Sequence, residues 1–230
     1  MIDWREIDTV LLDMDGTLLD LHFDSHFWLE HLPKRYVELH QLDEASQAAL
    51  TKEQLIARIT DMQGTLNWYS LAYWSRELGV DIVALKREVQ HLIGLRSDAL
   101  DFLTWLKQAH PRVVLATNAD RASLGLKLPL TGLENYLDAI ISSEDVGAAK
   151  EEQAFWFALQ EREPFDPART LFIDDNPHVL ESAREFGVKH LLGIKQPDSQ
   201  RPEKELQEFI ALDTFAQLLP GNMPGQRGER

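Results

Sequence analysis

The chain has 230 residues, 44% of them hydrophobic, which is enough to bury a full core and excludes wholesale disorder. Its 38 acidic residues against 23 basic ones give a formal net charge of -15, which opposes nonspecific binding to nucleic acid or an anionic membrane, so a polyanionic substrate would need a local positive site. There is no cysteine, hence no disulfide framework or thiolate metal site, no apolar run long enough to cross a bilayer and no signal-peptide pattern; the expected location is cytoplasmic, without a nucleic-acid or membrane partner.

The first element is an apolar run, Val10-Leu11-Leu12, that stops at Asp13-Met14-Asp15-Gly16-Thr17. It reads as a strand end, where residues two apart project to one side: Asp13 and Asp15 can aim at one reacting centre while Gly16 lets the backbone turn. From 21 to 97 the pattern changes to amphipathic stretches at 27–42, 45–62, 68–78 and 82–92, punctuated by Gly64 and Gly79, and this segment reads as a helical insertion, or cap. Further apolar runs follow at 112–117, 139–142, 170–173 and, more weakly, 189–194, interleaved with helical periodicity around 121–128, 151–162 and 179–186. This alternation predicts an α/β core, 1–20 joined to 98–220, with a parallel sheet covered by helices on both faces. Ligands in such folds sit at the carboxyl ends of the strands, where Asp13, Thr117 and Asp174 fall. The stretch 221–230 is rich in breakers and poor in apolar residues, and reads as a disordered tail.

Three later stations carry chemistry. At Ala116-Thr117-Asn118 a hydroxyl and backbone N–H groups could hold a phosphoryl oxygen, although Thr and Asn are also ordinary turn residues. Lys150, before a helix, could neutralise an anionic nucleophile and a phosphate together, or simply be solvated. At Ile173-Asp174-Asp175-Asn176-Pro177, adjacent carboxylates repel unless a cation offsets them; alternatively Asp175 or Asn176 caps the helix that starts near Pro177.

Taken in order, Asp13-x-Asp15-Gly16-Thr17, Thr117, Lys150 and Asp174-Asp175 resemble the four motifs of the haloacid dehalogenase-like hydrolase superfamily. One departure is Glu151, where many members carry proline after the lysine. The resemblance implies a Rossmann-like α/β core with a C1-type cap at 21–97. Thr65-Leu66-Asn67-Trp68-Tyr69, Tyr73-Trp74 and Lys150-Glu151-Glu152-Gln153 are further similar to the bacterial purine nucleotidase branch that hydrolyses GMP and IMP.

The resemblance implies a magnesium-dependent phosphatase for nucleoside 5'-monophosphates. Asp13 is then the nucleophile that forms an aspartyl-phosphate, and Asp15 is the general acid and base. Asp13, the Asp15 carbonyl and Asp174 hold Mg2+, with Asp175 acting through a water; Thr117, the Asn118 amide and Lys150 hold the phosphoryl oxygens. Oxygen-only ligands suit magnesium better than zinc. The alternatives are a sugar-phosphate phosphatase or a phosphoglucomutase-type phosphoryl transferase of the same superfamily; a noncatalytic interaction protein is disfavoured because every station carries a competent residue. In the cap, Trp68, Tyr69, Tyr73 and Trp74 could stack a purine, but core packing is the favoured reading for most of them. Asp20, His22 and Asp24 could line the hinge or the substrate entrance, or be turn residues, and are assigned no catalytic role.

Overall fold

The computed structural model describes residues 2–40, 45–109, 111–206 and 208–219; the expected tail at 221–230 lies outside the described residues. Strand β1 (Thr9–Leu12) is buried at every position, as expected of a central parallel strand. The chain then leaves the sheet through α1 (His22–His26), a π-helical turn at Phe27–His31, α2 (Leu32–Leu39), α3 (Ala45–Asp61), α4 (Leu66–Tyr69), α5 (Leu71–Leu78) and α6 (Ile82–Glu88). It returns by α7 (Ala99–Ala109) to β2 (Arg112–Thr117), and continues with α8 (Arg121–Thr131), β3 (Ala139–Ser142) and α9 (Ser143–Val146). The last elements are α10 (Gln153–Arg162), β4 (Thr170–Asp174), α11 (Pro177–Phe186), β5 (His190–Ile194) and β6 (Ile210–Leu212).

The six strands are parallel, in the order β3-β2-β1-β4-β5-β6. Leu12 pairs with Leu115 on one side and Ile173 on the other, so the carboxyl ends of β1, β2 and β4 are level. That register brings three of the sequence stations to one edge. Side-chain alternation then makes two cores. Val10, Leu12, Leu115 and Ile173 pack with Phe102 and Leu106 of α7. On the other face, Leu11, Val114 and Phe172 pack with Trp156 of α10 and Leu180 of α11. Edge strand β6 was not expected; it has three residues, of which Ile210 and Ala211 are exposed, too short for a periodicity signal.

The helices between β1 and α7 have their own core, built on Phe23, Phe27, Leu71, Trp74, Ile82 and Leu85, and Leu126 of α8 joins it from the sheet side. Its two connections to the sheet run side by side, with Asp20 N donating to Gly94 O at 2.9 Å and Arg96 N to Leu18 O at 3.0 Å. The expected helix over 68–78 is two helices, because Ser70 is extended and its hydroxyl caps α5 by accepting from Tyr73 N. The stretch 82–92 ends its α-helix at Glu88 and finishes as a 3₁₀ turn at Gln90–Leu92. The helix expected from 27 instead begins at His22.

Candidate active site

Asp13 follows β1 directly and is held in line by its N–H, which donates to Ile173 O at 3.0 Å. The backbone then turns: Gly16 has φ +88°, and its N–H donates to Leu19 O at 2.8 Å. A side chain here would be strained and crowded, since a Cβ on Gly16 would stand 2.8 Å from Asp175 Cγ and 3.0 Å from Pro197 Cβ. The glycine therefore lets the first loop approach the carboxylate at the end of β4.

Lys150 joins the strand ends. Its Nζ donates to Asp13 Oδ1 at 2.5 Å and to Asp174 Oδ2 at 2.6 Å, with the lysine buried. Its backbone is clamped, the N–H donating to Asn118 Oδ1 at 2.9 Å and the carbonyl accepting from Trp156 Nε1 at 2.9 Å. Burial works against the ammonium, but Asp13 and Asp174 outweigh it and hold its pKa above the ordinary lysine range. Burial pushes the carboxyls of Asp13 and Asp174 upward, with Lys150 opposing and Asp175 adding to the rise. Asp174 Oδ1 accepts from Asn176 N at 2.8 Å, and Asp175 Oδ2 from Lys204 Nζ at 2.8 Å. Oxygens of Asp13, Asp174 and Asp175 lie within 4.8 Å of one another, a hard-oxygen donor set able to hold a divalent cation. The helix-cap alternative resolves onto the neighbouring residue: Asn176, not Asp175, caps α11, its Oδ1 accepting from His178 N.

Thr117 is buried at the end of β2, and its hydroxyl oxygen accepts from Ala119 N at 3.0 Å. The carbonyls of Asn118 and Ala119 accept from the hydroxyls of Ser143 and Ser142, which brace this loop. All seven residues singled out from the sequence, Asp13, Asp15, Thr117, Asn118, Lys150, Asp174 and Asp175, line one cavity of about 400 Å³.

The cavity also holds residues to which sequence reasoning gave no site role. Lys127 of α8 donates to Asp15 Oδ1 at 2.7 Å and to Asp24 Oδ2 at 2.6 Å, and Lys86 of α6 donates to Asp24 Oδ1 at 2.5 Å. Burial, joined by Asp24 and Asp13, outweighs Lys127 and pushes the Asp15 carboxyl up to about 6. For Asp24, burial is outweighed by the two lysines, and its pKa falls well below the usual carboxylate range. A signal was present: Lys86 falls on the stripe of Ile82, Leu85 and Val89, and Lys127 on that of Leu124 and Leu128, where a solvated lysine has no place. Asp20 is a turn residue, its Oδ1 accepting from the N–H groups of His22 and Ser199.

The aromatic residues of the helical layer divide. Trp68 and Tyr69 line the cavity with Trp28, whereas Trp74 is fully buried in the helical core and donates to Trp68 O. Tyr73 packs against that same core. Tyr69 OH donates to Glu151 Oε1 at 2.6 Å, while Glu151 Oε2 accepts from Asn118 Nδ2 at 3.0 Å. The residue in place of the usual proline thus ties α4 to the loop that follows β2.

Comparison with known proteins agrees with this architecture. The chain is 40% identical over 222 residues to the GMP/IMP nucleotidase YrfG of Escherichia coli (strain K12), covering 96% of this chain and 98% of the relative. It is 23% identical over 194 residues to a phosphorylated carbohydrates phosphatase of Thermotoga maritima, covering 82% and 85%. A crystal structure of a HAD phosphatase from Thermococcus onnurineus superposes with a TM-score of 0.76 at 20% identity, over 92% of this chain and 96% of that one, and so shares the fold. The family model for haloacid dehalogenase-like hydrolases matches residues 7–187, spanning every station from Asp13 to Asp175, and the chain belongs to that family.

Proposed function

We propose that this hydrolase is a magnesium-dependent phosphomonoesterase acting on purine nucleoside 5'-monophosphates through an aspartyl-phosphate on Asp13. The observation that carries the reading is the convergence of Asp13, Asp15, Thr117, Lys150 and Asp174 on one cavity. Asp13, Asp174 and the Asp15 carbonyl would hold the cation, with Asp175 acting through a water, and the oxygen-only donors and crowded carboxylates, those of Asp13 and Asp174 buried, fit it. When bound, Mg2+ supplies charge neutralisation at the phosphoryl group and among these carboxylates.

Lys150 favours the ionised form of Asp13, whose oxygen attacks phosphorus as the ester P–O bond breaks. Asp15, with its pKa pushed up to about 6, delivers a proton to the departing alkoxide. The resulting Asp15 carboxylate then takes a proton from the water that attacks phosphorus, which releases inorganic phosphate and regenerates Asp13. Thr117, the Asn118 amide and Lys150 hold the phosphoryl oxygens as charge spreads over them. Purine preference is supported by the identity to a GMP/IMP nucleotidase over nearly the whole chain, and by the Trp28, Trp68 and Tyr69 rings in the cavity wall. We propose further that the helical segment acts as the cap that selects the base.

A phosphate-release screen with Mg2+ across nucleoside monophosphates, sugar phosphates and small phosphorylated acids tests the reading. Highest kcat/KM on GMP or IMP is expected. Preference for a sugar phosphate would overturn the substrate class, and release without any divalent cation would overturn the metal role of Asp174.

A further inference from the structure

A ladder of alternating charges holds Asp15, and the strand-end motifs do not account for it. Asp15 Oδ1 accepts from Lys127, the same ammonium donates to Asp24, and the other oxygen of Asp24 accepts from Lys86. Lys127 is 2% exposed and Lys86 1%, so these contacts act in a medium of low polarisability and are not surface pairs. The Lys86 ammonium is also caged, 4.8 Å from the ring centroids of Phe23 and Phe27 and 5.4 Å from that of Trp28, which fixes the far end of the ladder. Asp24 and Lys86 belong to the helical layer, whereas Lys127 lies on α8 beside the sheet and Asp15 follows β1.

We propose that Lys127 is a positioning residue for Asp15, anchored from the helical layer by Asp24 and Lys86. The inference rests on the phosphomonoesterase reading above. Lys127 occupies Oδ1, and among the described residues no other hydrogen bond reaches the Asp15 carboxylate, so Oδ2 is left to the cavity. The Lys127 ammonium also stands beside the negative charge that appears on Asp15 as its proton passes to the ester oxygen. Asp24 keeps the ammonium in that place by accepting its second hydrogen bond, at 2.6 Å.

The discriminating readout is the leaving group. A nucleoside 5'-monophosphate departs as an alkoxide that needs a proton, whereas p-nitrophenyl phosphate departs as a stabilised phenolate that does not. Lys127→Met is expected to lower kcat/KM on GMP by about 100-fold, the scale of a lost general acid, and on the aryl ester by less than about 5-fold. Asp24→Asn should show the same selectivity at roughly tenfold on GMP, within the range for a misplaced catalytic group. The double variant Asp24→Asn/Lys127→Met removes opposite charges together, keeps the buried region neutral, and should reproduce the selective loss even where the single lysine variant fails to fold. Equal losses on both esters in a folded variant, or no loss on either, would overturn the ladder's role alone. A wild-type protein that cleaves neither ester would overturn the phosphomonoesterase reading, and the ladder's role with it.

Discussion

Two buried lysines sit in the same cavity and do similar local work, yet they belong to different parts of the molecule. Lys150 bridges Asp13 and Asp174, which stand at the ends of neighbouring strands of one sheet. Lys127 bridges Asp15 to Asp24, and Asp24 sits on a helix of the separate helical layer. In both places burial disfavours the ammonium and a pair of carboxylates outweighs it. The difference lies in what holds the carboxylates: the sheet register fixes the first pair, whereas packing of one layer on another fixes the second. The cluster around Asp13 is thus set by the sheet itself, and the cluster around Asp15 by the docking of the helical layer.

The largest expected effect is on the first cluster. Asp13→Asn should reduce kcat on GMP by on the order of 10⁵-fold or more, as for removal of other enzyme nucleophiles, with the melting temperature little changed. Retained turnover would erase the distinction between the two clusters, because the nucleophile would lie elsewhere. Lys150→Met leaves two carboxylates buried without their cation and should destabilise the protein by about 3 to 5 kcal/mol in denaturant melts without divalent cation. Added Mg2+ should recover part of that loss if the carboxylates then share the ion.

A smaller effect is expected where the first loop meets Asp175. Gly16→Ala places a side chain at φ +88° and against the Asp175 carboxyl, and should lower kcat by about 100-fold, as a displacement near 1 Å can. Wild-type kinetics in that variant would mean that the loop relaxes away without moving Asp13 or Asp15. The smallest is the second tie between the layers. Tyr69→Phe removes the hydroxyl that donates to Glu151 and should reduce stability by roughly 1 kcal/mol, with KM rising more than kcat falls. A change in kcat alone would assign Tyr69 to the chemistry and not to holding the helical layer.

Legibility followed the same division. The strand ends were readable because each combines a buried apolar run with an abrupt acidic or hydroxyl residue, and five strands were placed within one residue of their observed ends. Strand β6 escaped because three residues carry too little pattern. Asp24 carries no catalytic signal in the sequence, since nothing nearby in the chain shows that Lys86 and Lys127 meet it. Glu151 stands out in the sequence as a departure from proline and as part of the Lys150-Glu151-Glu152-Gln153 similarity, but neither shows its contacts, because its partners Tyr69 and Asn118 lie 82 and 33 residues away.

What the residue order by itself determined is local: backbone periodicity puts Asp13 and Asp15 on one side, and the apolar runs mark the strand ends that carry Thr117 and Asp174. The tertiary structure alone decided which cations face those acids, which aromatic rings reach the cavity and which fill the helical core. The reason is physical. A spacing of two or four residues is imposed by the geometry of a strand or helix, whereas a contact between positions 15 and 127 exists only after whole elements have packed.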